Sequence, residues 1–218
     1  MMHVYLIPGL GADQTIFGRL TWPDSVKLHY LHWIQPLQDE ALSLYAKRLS
    51  EQIDTTQEFC IVGLSFGGIM VTELNRWVSP KKSIIISSIS NRQEFSSVFK
   101  LIRAFNLYHL FPSQKLSWIQ HFVSFVMGAH PHGSKKLLKK YLAHTNTDYI
   151  QWAVSKICTW EQSTRIPNLV HIQGSRDKIF PAKYVQADFV IEGGTHMMVY
   201  DKAGQVSTCL AKILEPFI

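Results

Sequence analysis

A chain of 218 residues, 46% hydrophobic and 17% charged, is long enough to bury a sizeable core and too apolar to be disordered, so one domain, with or without an insertion, is expected. Cys60, Cys158 and Cys209 are scattered and odd in number, no apolar run reaches bilayer-spanning length, and the opening residues lack the basic start of a signal peptide; a reducing, cytoplasmic setting is expected, with no disulfide framework. The net charge of +6 belongs to residues 91–160, which hold nine basic and two acidic residues, so it marks one segment and gives little support to a nucleic-acid partner.

His3–Ile7 is a short apolar run closed by Pro8-Gly9-Leu10-Gly11, a strand followed by a glycine-rich loop. Val26–Leu31 reads as a second strand. Leu42, Tyr45, Ala46, Leu49 and Ile53 recur at helical spacing, with Gln38 or Asp39 as the expected cap. Phe59–Val62 is a third strand, and a helix-like run follows to about Val78, where Ser79-Pro80 stops it. Ser83–Ser87 is a fourth strand of the fully buried kind. From Asn91 to Trp160 only helix-like periodicity remains, in pieces near 94–110, 113–128, 134–143 and 147–160. Strand signals return at Leu169–Gln173 and Ala187–Ile191, and a closing helix runs from about Tyr200 to Leu214. Strands alternating with helices predict an α/β fold: a mostly parallel six-stranded sheet of order 2-1-3-4-5-6, with helices on both faces.

The chemistry centres on Gly63-Leu64-Ser65-Phe66-Gly67, between the third strand and its helix. This is the strand–turn–helix pattern of a nucleophile elbow, in which the glycines allow a turn too tight for side chains. A serine hydroxyl needs a base, and the base needs an acid to orient it. Asp177 follows the fifth strand in Gly174-Ser175-Arg176-Asp177, and His196 follows the sixth behind Gly193-Gly194-Thr195. Alone, the elbow is a plain turn, Asp177 a helix-capping loop acid and His196 a structural histidine. Together, each falls past the carboxyl end of a strand, where open α/β sheets place their sites. Glu192 also lies near His196, but it shares the histidine's own strand, and the Gly193-Gly194 turn should point it elsewhere. An oxyanion hole is expected from the backbone amides of Phe66 and Leu10.

Through these four loops the sequence resembles the α/β-hydrolase superfamily along nearly its whole length. The resemblance implies a serine-nucleophile, esterase-like member without a cofactor. It implies Ser65, Asp177 and His196 as the triad, with residues 1–90 and 161–218 as the core and 91–160 as the helical cap. Family members that open epoxides or remove halide carry aspartate at the nucleophile position, so Ser65 favours cleavage of a small or medium acyl ester. A thioesterase or acyltransferase and a catalytically idle ligand-binding relative are the alternatives. The sequence departs from the family at Pro8, where a histidine is usual, and at its start, which enters directly at the oxyanion strand.

Phe122 and Val123 of the cap, with Met197 beside the histidine, are the candidate lining of an acyl pocket. Ser134–Tyr141 predicts an amphipathic helix with four lysines, a solvated face or a contact for an anionic carrier. His130, His132 and His144 lack a Cys or carboxylate at ligand spacing, so no metal is expected.

Overall fold

The computed structural model describes residues 1–106, 123–129, 133–144 and 146–218. Six strands form one all-parallel sheet: β1 (Met2–Ile7), β2 (Val26–Tyr30), β3 (Phe59–Leu64), β4 (Lys82–Ile86), β5 (Leu169–Gly174) and β6 (Phe189–Ile191), in spatial order β2-β1-β3-β4-β5-β6. The order matches the one expected from the alternating pattern. Register pairs Ile7 with Gly63 and Leu64 with Ile86, which brings the carboxyl ends of the central strands to one edge.

The strands are apolar on both faces because both faces are covered. Val4, Leu6, Val62 and Ile84 point into one core with helix α8 (Ala203–Leu214). Tyr5, Ile7, Ile61 and Ile85 point into the other with α1 (Leu42–Ser50) and α2 (Phe66–Leu74). Two expected boundaries move. Asp39 takes a positive φ of 54° and Ala41 precedes α1 without a side-chain cap. The residue that organises that entry is Glu40, whose carboxylate accepts from the Leu37 amide and pairs with Arg48 at 2.7 Å. The closing helix begins earlier than its periodicity suggests, as the short α7 (Met198–Asp201), and Lys202 at φ −122° separates it from α8.

Between β4 and β5 the described residues are helical: α3 (Ser97–Ala104), α4 at 123–127, α5 (Ser134–His144) and α6 (Thr147–Cys158). Asn146 caps α6 by accepting from the Asp148 and Tyr149 amides. Helix α5 reaches the loop after β1, where Asp13 accepts from Tyr141 and pairs with Lys140, both at 3.2 Å. Helix α6 lays Tyr149 and Trp152 against Trp33 and Tyr45, residues that precede and begin α1's face of the core. Among the described residues no helix is long and apolar enough to cross a membrane.

Candidate active site

The elbow is a problem of space. A Cβ on Gly63 would sit 2.2 Å from the Gly67 carbonyl oxygen, and one on Gly67 would sit 2.4 Å from the Ile7 carbonyl oxygen. Only glycine lets β1, β3 and the start of α2 approach so closely. Ser65 between them is held at φ 54°, ψ −118°, which side chains other than hydrogen rarely adopt. Two neighbours fix it there. Its amide donates to the Ile86 carbonyl at 2.9 Å, and its carbonyl accepts from the Ser88 hydroxyl at 2.7 Å. Ser88 is a contributor that the sequence alone did not single out. Its hydroxyl also explains Gly68, where a Cβ would stand 2.4 Å away from it.

The acid and histidine loops are joined backbone to backbone. A Cβ at Gly174 would meet the Gly194 carbonyl oxygen at 2.3 Å, and the Arg176 amide donates to that same oxygen at 2.8 Å. This contact carries Asp177 and His196 to one point. His196 Nδ1 lies 2.8 Å from Asp177 Oδ2, and His196 Nε2 lies 2.8 Å from Ser65 Oγ. A carboxylate can only accept, so Nδ1 carries the proton and Nε2 presents its lone pair to the serine hydroxyl. Asp177 and His196 are 4% and 3% exposed, so the ion-pair-forming groups are shielded from water. Asp177 Oδ1 accepts from the Ile179 and Phe180 amides at 2.8 and 3.0 Å. Glu192 is exposed and has no hydrogen bond to His196.

Phe66 follows Ser65 directly, and the loop after β1 comes close to it through Gly9, the neighbour of Leu10. Gly9 approaches so closely that a Cβ there would stand 3.5 Å from Ser65 Cβ. The loop is braced by the Ala12 amide and the Trp33 indole, which both donate to the Gly9 carbonyl, at 3.0 and 3.3 Å. Phe66 is the first residue of α2, where helix geometry leaves an amide without an intrahelical acceptor. Its ring stacks on Trp33 with centroids 5.2 Å apart.

A cavity of about 250 Å³ adjoins this loop, lined by Gly11, Ala12, Asp13, Trp33, Lys140, Tyr141 and Tyr149. Burial pushes the Tyr141 and Tyr149 phenols up, so both are neutral at ordinary pH. Of the residues expected to line an acyl pocket, half-buried Val123 and buried Met197 pack in the α8-side core, and neither lines this cavity. Phe122 lies outside the described residues, as do His130 and His132. Among the described residues no group of three His, Cys, Asp or Glu could hold a metal ion.

No protein-family model and no curated protein matches the sequence. Solved structures do. An esterase from Thermogutta terrifontis superposes with a TM-score of 0.68 at 16% identity, over 99% of this chain and 90% of that one. The chain has the α/β-hydrolase fold. A hydrolase from Oleispira antarctica matches it with a TM-score of 0.71 at 14% identity, over 99% and 91% of the two chains. An epoxide hydrolase from Bacillus megaterium does so at 0.70 and 10%, over 99% and 94%. At these identities the likeness carries the α/β-hydrolase architecture alone, and that architecture hosts more than one reaction.

Proposed function

We propose that this chain is a serine hydrolase that cleaves small or medium acyl esters through an acyl-enzyme. The observation that carries the reading is the unbroken chain Ser65 Oγ–His196 Nε2 and His196 Nδ1–Asp177 Oδ2, 2.8 Å at each link, on a strained elbow. Strain of that kind is kept where a function needs it. Ser65 Oγ attacks the ester carbonyl as its proton passes to His196 Nε2. Asp177 holds the ring in place and stabilises its charged form. The amides of Phe66 and Leu10 receive the oxyanion, and the N-terminus of α2 adds its positive end. His196 then returns the proton to the leaving alcohol. It next takes a proton from water, whose oxygen attacks the acyl carbon; the bond to Ser65 Oγ breaks, and Oγ takes that proton back from His196. Serine at this position supports ester chemistry over epoxide opening.

In this reading residues 91–160 form the cap, and the cavity beside the Gly9–Gly11 loop takes the acyl group. Its volume and aromatic walls suit a short apolar chain. The test is labelling with a fluorophosphonate probe together with turnover of p-nitrophenyl esters from acetate to decanoate. Stoichiometric labelling that Ser65→Ala abolishes, with turnover of the short esters, supports the proposal. A probe-inert protein with no esterase activity would favour a ligand-binding role.

A further inference from the structure

Behind the acid of the site lies a second polar chain that the reaction scheme does not use. His171 and Gln173 sit two apart on β5, so their side chains leave the same face of the strand. Both are fully buried, on a sheet face otherwise built from residues such as Tyr5, Ile7, Ile61 and Ile85. Burying them uncompensated would be costly, so their hydrogen bonds are informative.

The Gln173 amide nitrogen donates twice, to Asp177 Oδ2 at 3.1 Å and to the Phe180 carbonyl at 2.6 Å. Neither acceptor can donate, so the amide cannot be turned end for end. Its oxygen therefore faces His171 Nε2, 3.1 Å away, and an amide oxygen there requires that Nε2 carry the proton. Nδ1 of His171 is buried and has no acceptor among the described residues, so a second proton there would leave a buried charged ring with a bare N–H, the costlier state. His171 is thus the neutral Nε2–H form. Burial, which lowers its pKa, acts in the same direction, against the combined fields of Glu94 and Asp188 and with that of Arg165.

We propose that Gln173, oriented by His171, is the positioning residue for the Asp177 carboxylate. The relay runs His171 Nε2–H to Gln173 Oε1, Gln173 Nε2–H to Asp177 Oδ2, and from the same oxygen to His196. It does two things. It turns Oδ2 toward the histidine, completing the set of donors on Asp177 that Ile179 and Phe180 begin. It also ties the 177–180 loop to β5 through the Phe180 carbonyl, and the Phe180 ring packs 5.7 Å from that of His196. A donor on the carboxylate further spreads its charge, which limits how strongly it favours the imidazolium. Chains of this kind strengthen one another in a dry interior.

The inference rests on the triad reading, and the experiment separates the two. Gln173→Leu removes the relay at near-constant volume. On p-nitrophenyl acetate we expect kcat to fall roughly tenfold to a hundredfold with KM within about twofold, the loss of one hydrogen bond to a charged group. The acid limb of kcat/KM should move up by about half a unit to one unit, because an Asp177 with fewer donors holds the His196 proton more tightly. His171→Leu should cause a smaller change of the same sign, and His171→Gln, which keeps a donor, should stay near wild type. Unchanged kcat and acid limb in Gln173→Leu overturn the proposal. So does a loss of activity with the limb unmoved, since a merely structural residue would do that. If Gln173→Leu does not fold, the His171 pair decides alone: equal effects of Leu and Gln, or none, overturn it. Asp177→Asn is measured beside them. Full turnover by that variant refutes the triad itself, whereas an impaired Asp177→Asn with a normal Gln173→Leu refutes only the relay.

Discussion

Ser65 is paid for in backbone strain at φ 54°, and two substitutions separate its chemistry from its geometry. Ser65→Ala removes the proposed nucleophile and keeps the Cβ, so turnover should fall a thousandfold or more while stability barely changes. Ser65→Gly removes the nucleophile and the steric conflict together. It should match Ser65→Ala in inactivity yet be more stable by roughly 1–2 kcal/mol, as thermal unfolding will show. A Ser65→Gly variant less stable than Ser65→Ala would mean that the elbow is not strained, since glycine alone favours the unfolded chain. At His171 the expectation concerns acid. Its folded pKa is lowered by burial while the unfolded value is ordinary, so the unfolded chain binds the extra proton first. Stability should therefore fall as pH drops below about 6.5, by up to about tenfold in the folding equilibrium per unit, until the folded pKa is reached. His171→Gln should flatten that slope in urea titrations run from pH 7 to 5; an unchanged slope would assign the acid sensitivity to other groups.

At the scale of elements, the chain leaving β4 and the chain approaching β5 meet at Glu161, and the contacts there differ in worth. Glu161 pairs with Arg92 and Arg103, but it is mostly exposed, and such pairs contribute little. Trp160 next to it is buried, and its indole donates at 2.8 Å to Glu73, a buried carboxylate on α2 that also pairs with Arg76. Trp160→Phe leaves one oxygen of that carboxylate short of a donor, a loss of about 1–3 kcal/mol. Glu161→Gln should cost less than about 1 kcal/mol. Urea unfolding of both variants checks the order, and a larger loss from Glu161→Gln would reverse it. Because Ser65 is the residue that precedes α2, Trp160→Phe also tests whether that contact steadies the elbow: kcat should drop with stability if it does.

Over the whole molecule, the features visible in the sequence are those set by local sterics and period. Alternation of strand and helix predicts the sheet order, and the glycines at 63, 67, 174 and 194 mark the loops whose backbones must touch. What stayed hidden depends on partners distant in sequence. His171 and Gln173 read as part of a buried strand, and only the fold shows that their polar atoms converge on Asp177. Their one sequence signal is polarity inside an otherwise apolar strand. The cavity was hidden for the same reason, since its walls come from the loop after β1, from Trp33, and from α5 and α6. The aromatic content of residues 91–160 points to Val123, and the structure packs Val123 in the α8-side core. The consequence can be measured as chain-length preference. Ala12 lines the cavity beside the Gly9–Gly11 loop, and Ala12→Leu adds bulk to a space of about 250 Å³. Each methylene of a bound chain is worth up to about 0.8 kcal/mol, so losing room for two of them should lower kcat/KM on hexanoate about tenfold relative to acetate. Val123→Leu should leave that ratio unchanged. If Val123→Leu shifts the ratio and Ala12→Leu does not, the acyl chain lies under the cap on the α8 side, and the cavity beside Gly11 has another use.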